Sequence, residues 1–300
     1  MIAIEANHLI KSYGKIKAID DMSFVIEENK ITGLIGRNGA GKTTLLKTMA
    51  GYLRPVSGEI KVYRQDPFNS LKVAANLIFV DDNMTYPASF TLTDIVEAAA
   101  FFYPGFDKKL ATRLLEYFSL NPKQRHNKLS KGMRSTVNSI VGIAARCALT
   151  IFDEPTTGMD SAVRKDFYRA LLKDYLEYPR TVILSSHLLN ELEELLEDIL
   201  LIKDGQKYLH LRVTDLMEYA VGIRGNAQGV LSFAEGREIV HKEEFAQGSL
   251  YVVLKNDFLP GQLEQARQHG LEVMPITPDD LCVYLTAKTK GGIDYVFARD

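Results

Sequence analysis

Cysteine is scarce in this chain of 300 residues, which contains only Cys147 and Cys282. Two cysteines exclude the multi-disulfide framework on which small secreted proteins without a large core depend. We therefore expect a cytosolic protein, built as one large domain or as a main domain with a smaller one.

An excess of basic charge is also absent. Lys and Arg total 36 residues against 38 for Asp and Glu, which gives a formal net charge of −2 at pH 7. Nucleic-acid binding normally requires a basic surface that neutralises phosphates. The composition therefore predicts no nucleic-acid partner.

Long apolar runs are missing as well. The longest, residues 137–152, is interrupted by Asn138 and Arg146 and is too short and too polar for a bilayer span. The first residues show no basic segment followed by an apolar stretch, so we expect no signal peptide. If the protein works at a membrane, we expect other chains to supply the spanning segments.

Apolar, β-rich runs alternate with helical stretches through about residue 205. Runs such as residues 148–153 and 181–186 are almost purely apolar and end in polar residues, which is typical of strands buried on both faces of a parallel sheet. This alternation predicts an α/β fold, in which sites form beyond the carboxyl ends of the strands.

The pattern changes in the last third of the chain, which we interpret as a small α+β domain of residues 215–300. Residues 249–256 and 271–276 read as strands, and the helix between them is expected to end at Gly270. A further helix is predicted after Thr277, which suits the N-cap position.

The segment GRNGAGKTT fits the pattern G-x-x-x-x-G-K-[ST] between a predicted strand and a predicted helix. Its glycines let successive N–H groups point inward as an anion nest, and the helix N-terminus adds partial positive charge. Lys42 is expected to reach the β- and γ-phosphates of a nucleotide, and Thr43 to ligate Mg²⁺. The predicted phosphate site consists of Gly36, Arg37, Asn38, Gly39, Ala40, Gly41, Lys42, Thr43 and Thr44.

Two adjacent carboxylates end the apolar run LTIFDEP. Their side chains diverge because they are neighbours at a strand end. Asp153 is expected to accept hydrogen bonds from the hydration shell of Mg²⁺, and Glu154 to position the water that attacks the γ-phosphate. The alternative is that Asp-Glu-Pro merely begins a loop. The phosphate-binding segment elsewhere in the chain makes this alternative less favoured.

Two further side chains depend on these motifs for their interpretation. His187 follows another apolar strand, so parallel order would bring its imidazole to the same edge, within reach of the γ-phosphate. Tyr13 would stack on an adenine base. Alone, a loop histidine is more often inert, and Tyr13 is at least equally well read as a tyrosine in a turn.

The order of Tyr13, GRNGAGKTT, LSKGM (residues 129–133), LTIFDEP, GMD (residues 158–160) and His187 resembles that of ABC-transporter ATPase subunits. In that family the motifs are the A-loop, Walker A, signature, Walker B with its glutamate, D-loop and switch histidine. The resemblance covers about the first 210 residues. It implies a P-loop ABC-ATPase domain of residues 1–214, with a mixed-sheet core and a helical subdomain at about 84–146.

The resemblance also implies a head-to-tail dimer, in which each ATP lies between one subunit's Walker A and the other's signature. Ser130 is predicted to cap a helix, and a helix N-terminus binds phosphate without any acid–base group. Ser130 and Gly132 are therefore expected to bind the γ-phosphate held by a partner subunit. From these residues alone, an ordinary capped helix is the alternative.

Two departures from the family pattern stand out. The usual signature, Leu-Ser-Gly-Gly-Gln, has Lys131 and Met133 here, and Lys131 either adds charge near the phosphates or faces solvent. The glutamine that usually ends the strand before the helical subdomain is replaced by Asp82 or Asp81. A carboxylate there is expected to contact Mg²⁺.

The implied function is an ATP-hydrolysing subunit of a bacterial exporter of peptides or antibiotics. It would bind ATP and Mg²⁺, form a homodimer or a heterodimer, and join separate transmembrane permease subunits at the cytoplasmic face of the membrane. The alternative is a soluble ABC ATPase with a regulatory or signalling role. A DNA-repair ATPase would need a coiled-coil insertion, and a translation-associated one two cassettes and basic surfaces.

Overall fold

The computed structural model describes residues 1–187, 189–245 and 248–287. The chain divides into two compact units, Met1–His210 and a second that begins at Leu211, a few residues before the predicted boundary after Thr214. Residues 288–300 of the predicted accessory domain lie outside the described residues.

The first unit alternates strands and helices. Its strands are β1 (Ile2–Tyr13), β2 (Ile16–Glu27), β3 (Ile31–Ile35), β4 (Ser57–Val62), β5 (Leu77–Val80), β6 (Leu149–Asp153), β7 (Thr181–Ser186), β8 (Asp198–Lys203) and β9 (Gln206–Arg212). Its helices are α1 (Lys42–Met49), α2 (Leu71–Ala74), α3 (Leu92–Phe102), α4 (Lys108–Tyr117), α5 (Lys131–Ala145) and α6 (Ser161–Glu177), with a short 3-10 turn at His126–Lys128.

A six-stranded sheet in the order β5-β6-β7-β3-β8-β9 positions the site. The pairs β5·β6, β6·β7, β7·β3 and β3·β8 are parallel, so these strands end at the same edge. Every residue of β3, β5, β6 and β7 is buried, which explains why their sequences are continuous apolar runs. The predicted α/β fold is confirmed.

A second, antiparallel sheet has the order β2-β1-β4. The register between β1 and β2 shifts at several points along the pair. Ile4 and Met22 of this sheet share a core with Leu45 of α1 and with Ile151 and Ile183 of the parallel sheet. Each of these side chains is fully buried, which stabilises the unit by roughly 1.5–3 kcal/mol per residue.

Helices α3, α4 and α5 form the helical region between β5 and β6. Each begins at a side-chain cap: Thr91 for α3, Asp107 for α4 and Ser130 for α5. Every residue of α5 from Ser135 to Ala145 is buried. This burial follows from its packing against α3, α4, α6 and the strands β5 and β6.

A buried ion cluster fixes the C-terminal end of α5. The Arg146 guanidinium donates twice to Asp174 Oδ1 of α6, at 3.0 and 2.8 Å, and lies 3.2 Å from an Asp107 oxygen. Arg180, just before β7, lies 2.8 Å from the other Asp174 oxygen and donates to the Ile143 carbonyl. Breaking a buried pair leaves an uncompensated charge, so this end of α5 is firmly held.

The second unit contains α7 (Val213–Met217), β10 (Ala220–Asn226), α8 (Ala227–Ala234), β11 (Ile239–Phe245), β12 (Ser249–Lys255), α9 (Gln262–Gln268), β13 (Glu272–Pro275) and α10 (Pro278–Thr286). Its antiparallel sheet has the order β11-β12-β10-β13. From β10 to β13 the chain follows the β-α-β-β-α-β path of ferredoxin-like folds. The predicted Thr277 cap of α10 is confirmed, with its hydroxyl accepting from the Asp280 N–H.

Across residues 1–187, 189–245 and 248–287, every helix is too short or too polar to cross a bilayer.

Candidate active site

The Gly36–Thr44 segment connects β3 to α1, as the motif predicts. Gly39 and Gly41 have φ values of +83° and +103°, a conformation that L side chains rarely adopt. A Cβ on Gly41 would also lie 2.2 Å from the Ala18 carbonyl oxygen. The loop therefore requires glycine there, and it directs the first N–H groups of α1 toward the space that an anion would fill.

Lys42 is the first residue of α1, and its side chain is buried. Its Nζ donates to the Gly36 carbonyl at 2.7 Å and lies 3.3 Å from Glu154 Oε1. The ammonium is thus held over the loop between a carbonyl and a carboxylate. Its position matches the role predicted for it, that of a cation beside the phosphates of a nucleotide.

The side chains of Asp153 and Glu154 make different contacts at the end of β6. Asp153 is buried, and its Oδ1 accepts from the Ser185 hydroxyl of the neighbouring strand β7 at 2.7 Å. The same hydroxyl accepts from the Glu154 N–H at 2.9 Å. Glu154 has a φ of +48°, a costly conformation for a non-glycine residue and one that concentrates at functional sites.

The Glu154 carboxylate lies between the Lys42 ammonium and the His187 imidazole. Its Oε2 is 2.8 Å from His187 Nδ1, and its Oε1 faces Lys42 but has no hydrogen-bond donor among the described residues. His187 comes directly after β7, which pairs with β3, so the parallel order brings it beside the phosphate loop as predicted. A carboxylate with one unsatisfied buried oxygen is suited to hold a water molecule.

These groups open into one cavity of about 580 Å³, a volume typical of sites for small ligands. The predicted residues in its wall are Tyr13, Arg37, Asn38, Gly39, Gly41, Lys42, Thr43, Thr44, Asp82, Asp153, Glu154 and His187. Sequence reasoning missed Ala18, Asn83 and Thr157, which carry no motif signal but also line it.

Four predicted residues lie outside this wall. Gly36 and Ala40 are buried beneath the loop, and a Cβ on Gly36 would lie 2.6 Å from the Ile202 carbonyl oxygen. These two residues shape the loop rather than face the cavity. The other two are Ser130 and Gly132, which the structure does not bring to the cavity of their own subunit.

Tyr13 is the last residue of β1 and is half-exposed. The turn of residues 14–15 follows it directly and leads into β2. Lys11 Nζ lies 5.7 Å from the centre of the ring, within the range of a cation–π interaction. The ring at the cavity wall is available for stacking on a planar base, and that role stays a prediction.

The three residues predicted to bind Mg²⁺ share the cavity wall. Thr43, Asp82 and Asp153 all line it, and hydroxyl and carboxylate oxygens suit this ion. No group of three or more His, Cys, Asp or Glu that could hold a metal occurs among the described residues. The site therefore fits Mg²⁺ bound together with nucleotide phosphates and water, and does not form an all-protein cage.

The two candidate aspartates after β5 are placed differently. Asp82 lines the cavity and lies 3.6 Å from Lys131 Nζ. The side chain of Asp81 is mostly buried and lies 3.9 Å from Lys47 Nζ. Of the two aspartates, Asp82 is therefore the one at the cavity wall, and Lys131 pairs with it instead of standing alone in solvent.

The Ser130 cap is confirmed, since its Oγ accepts from the Met133 N–H at 3.3 Å. The structure explains why position 132 is glycine, which the sequence motif did not reveal. A Cβ there would lie 2.2 Å from the Gly158 carbonyl oxygen, and the nearby Ser135 hydroxyl donates to the Thr157 carbonyl at 2.8 Å. The N-terminus of α5 is therefore joined to the loop that follows Asp153 and Glu154.

A buried amide on α5 was also missed. Asn138 Nδ2 donates to the carbonyls of Asp81 and Met84 at 3.2 and 3.4 Å, and its Oδ1 lies 3.0 Å from His126 Nε2. Burial lowers the pKa of His126 below its ordinary value, so the neutral imidazole donates from Nε2. Asn138 thereby connects the segment containing Asp82 to α5, the helix that begins in the signature motif and is called the signature helix below.

Residues 19–157 match the sequence model of the family described as ABC transporter. The chain is 28% identical over 221 residues to the ABC transporter ATP-binding protein YtrB of Bacillus subtilis (strain 168), covering 74% of this chain and 76% of YtrB. It is 26% identical over 302 residues to the bacitracin transport ATP-binding protein BcrA of Bacillus licheniformis, covering 96% of this chain and 98% of BcrA.

Solved structures share the fold. An ATP-binding subunit of an ABC transporter superposes with a TM-score of 0.64 at 23% identity, over 71% of this chain and 91% of that chain. A dimeric ATP-binding cassette in a post-hydrolysis state, bound to ADP and Pi, gives a TM-score of 0.61 at 22% identity, over 70% and 98% respectively.

Proposed function

We propose that this chain, which belongs to the ABC transporter family and is an ATPase, hydrolyses ATP in the cavity between Lys42 and Glu154. One observation carries the proposal: the Glu154 carboxylate lies within 3.3 Å of Lys42 and 2.8 Å of His187 at the mouth of a glycine-rich phosphate loop. Glu154 would position water, Lys42 would bind phosphate and His187 would contact the γ-phosphate. The ends of three strands bring these side chains together.

In the proposed reaction the loop N–H groups and Lys42 bind the triphosphate. Thr43, Asp153 and Asp82 would hold Mg²⁺, which supplies neutralisation of phosphate charge. Glu154 orients the attacking water, and its hydrogen bond to His187 fixes the carboxylate and lets the imidazole report the γ-phosphate. Tyr13 stacks on the base.

We further propose a head-to-tail dimer, either of two copies or with a related subunit. Ser130 and Gly132 lie at a capped helix N-terminus outside the cavity of their own subunit. A helix N-terminus of this kind binds an anion that another molecule presents. Each complete site would then contain the loop of one subunit and the signature of the other.

Closure of the dimer on two ATP molecules and its reopening after hydrolysis would drive separate transmembrane subunits between two states. The alignment with BcrA extends through the second unit, which supports an exporter of peptides or antibiotics. The chain would therefore act at the cytoplasmic face of the membrane. The surface near residues 81–95 is where we place the membrane subunit.

Co-expression with candidate permease subunits tests the transport role. We expect the chain to sediment with membranes only when its permease is present, and expect that permease in proteoliposomes to raise ATP hydrolysis. The Lys42→Ala variant is the control, because it should sediment normally without turnover. A chain that stays in the soluble fraction with every candidate, and hydrolyses ATP at an unchanged rate, would instead support the regulatory ATPase.

Truncation tests the accessory role proposed for residues 215–300. A chain ending at Thr214 keeps β9 complete, so we expect its affinity for ATP to change less than about twofold. Dimerisation or permease stimulation should change instead. A chain ending at Lys203 also removes β9 from the sheet and should lower the unfolding temperature. If the chain ending at Thr214 lost ATP binding, residues 215–300 would belong to the nucleotide-binding domain.

A further inference from the structure

Both departures from the family pattern meet in space. Lys131, where the usual signature has glycine, lies 3.6 Å from Asp82, which stands where the family has glutamine. Two positions that are usually uncharged therefore carry opposite charges in contact. The two residues are 49 positions apart, so only the fold brings them together.

The pair joins two different surfaces of one subunit. Asp82 and Asn83 line the subunit's own nucleotide cavity, and the Asn83 amide donates to Asp82 Oδ1 at 3.0 Å. Lys131 is the first residue of α5, next to the Ser130 cap, and so belongs to the surface proposed to face the partner's nucleotide. The side chains remain about half exposed, which leaves both free to change partners.

The backbone around the pair is held more firmly than the pair itself. Asn138, which is fully buried, donates to the carbonyls of Asp81 and Met84, on either side of Asp82. The Ser135 hydroxyl shares its hydrogen between the Thr157 carbonyl at 2.8 Å and the Lys131 carbonyl at 3.2 Å. The backbone of both residues is thus held in place, while their charged side chains are free to reorient. The Mg²⁺ of a nucleotide bound in the cavity would compete with the Lys131 ammonium for the Asp82 carboxylate, because both are positively charged.

We infer that Asp82 and Lys131 form an exchangeable ion pair that couples the two nucleotide sites of the dimer. With its own cavity empty, a subunit keeps Lys131 on Asp82. When MgATP engages Asp82, Lys131 is released toward the γ-phosphate of the nucleotide held by the partner. The inference rests on the proposed head-to-tail dimer and specifies how occupancy of one site prepares the other.

A double-mutant cycle tests the coupling, with Asp82→Asn, Lys131→Gly and the double variant in a Glu154→Gln background. The readout is the ATP concentration that gives half-maximal dimer in sedimentation velocity. Asp82→Asn should lower this midpoint by about twofold to fivefold, the range of an exposed ion pair, because Lys131 is already released. The double variant should show no such decrease relative to Lys131→Gly.

A second readout uses the monomer and does not depend on the dimer. The ratio of ATP affinity in MgCl₂ to that in EDTA should rise about twofold to fivefold in Lys131→Gly, since the freed Asp82 carboxylate attracts Mg²⁺ and repels bare triphosphate. It should not change when Lys131→Gly is added to Asp82→Asn. Lys128→Gly, an exposed lysine three positions earlier, is the matched control and should change neither readout.

Additive effects in both readouts would overturn the ion-pair inference and leave the proposed function intact. The absence of an ATP-dependent dimer in the Glu154→Gln background would overturn the proposed dimer, and the exchange between sites with it. Coupling that persists unchanged in 1 M NaCl would also contradict the inference, because salt screens a half-exposed pair.

Discussion

Glu154→Gln is expected to lower the rate of ATP hydrolysis by about 10²–10⁴-fold while ATP binding persists. The amide keeps the size of the side chain but lacks the negative charge that orients water between Lys42 and His187. A nucleotide that is bound but not hydrolysed should hold the dimer closed. Single-turnover hydrolysis measures the first effect, and sedimentation velocity with ATP measures the second.

The matched control is Glu191→Gln. Glu191 is as exposed as Glu154, at 27% of the side chain, and is also ion-paired, with Arg164 at 3.1 Å, but it lies outside the cavity wall. We expect its loss to leave hydrolysis within about twofold. Normal turnover in Glu154→Gln would show that another group positions the water.

Mixed dimers should distinguish a shared site from two self-contained ones. In a Glu154→Gln background, a Lys42→Ala subunit paired with a Ser130→Ala subunit places both defects in one composite site. We expect one trapped ATP per dimer from this pairing. Both substitutions in one subunit, paired with an otherwise unchanged partner, damage both composite sites and should trap none.

Equal trapping in the two arrangements would contradict the head-to-tail dimer. Ser130→Ala also removes a helix cap, which costs about 1 kcal/mol. Thr91→Ala is the control for that loss, since Thr91 caps α3 in the same helical region and lies outside the cavity wall. It should lower the unfolding temperature without changing the number of trapped nucleotides.

Local chemistry made much of this site predictable. The phosphate loop needs glycines in fixed places, and a parallel strand needs an apolar run, so both leave short-range signals. The Ser130 cap is equally local. Strand β1 was missed because its irregular pairing with β2 breaks the alternation of buried and exposed residues by which such a strand is recognised.

Features that depend on distant partners left no signal. Asn138 looked like an interruption of an apolar run, yet its partners at Asp81 and Met84 are more than 50 positions away. Gly132 is fitted against Gly158, a contact that no spacing rule predicts. In the second unit, the sequence predicted β12, β13, α9 and α10 but not the four elements that precede them, α7, β10, α8 and β11.

The buried cluster around Arg146 gives the signature helix one anchored end. Ser130 and Arg146 are the two caps of the 15-residue helix α5, so Ser130 lies roughly 24 Å from that anchor at 1.5 Å per residue. A rotation of about 10° around Arg146 would therefore carry Ser130 through about 4 Å. In the proposed dimer, a small tilt of the helical region about this ion cluster would therefore move Ser130 by more than the length of a hydrogen bond.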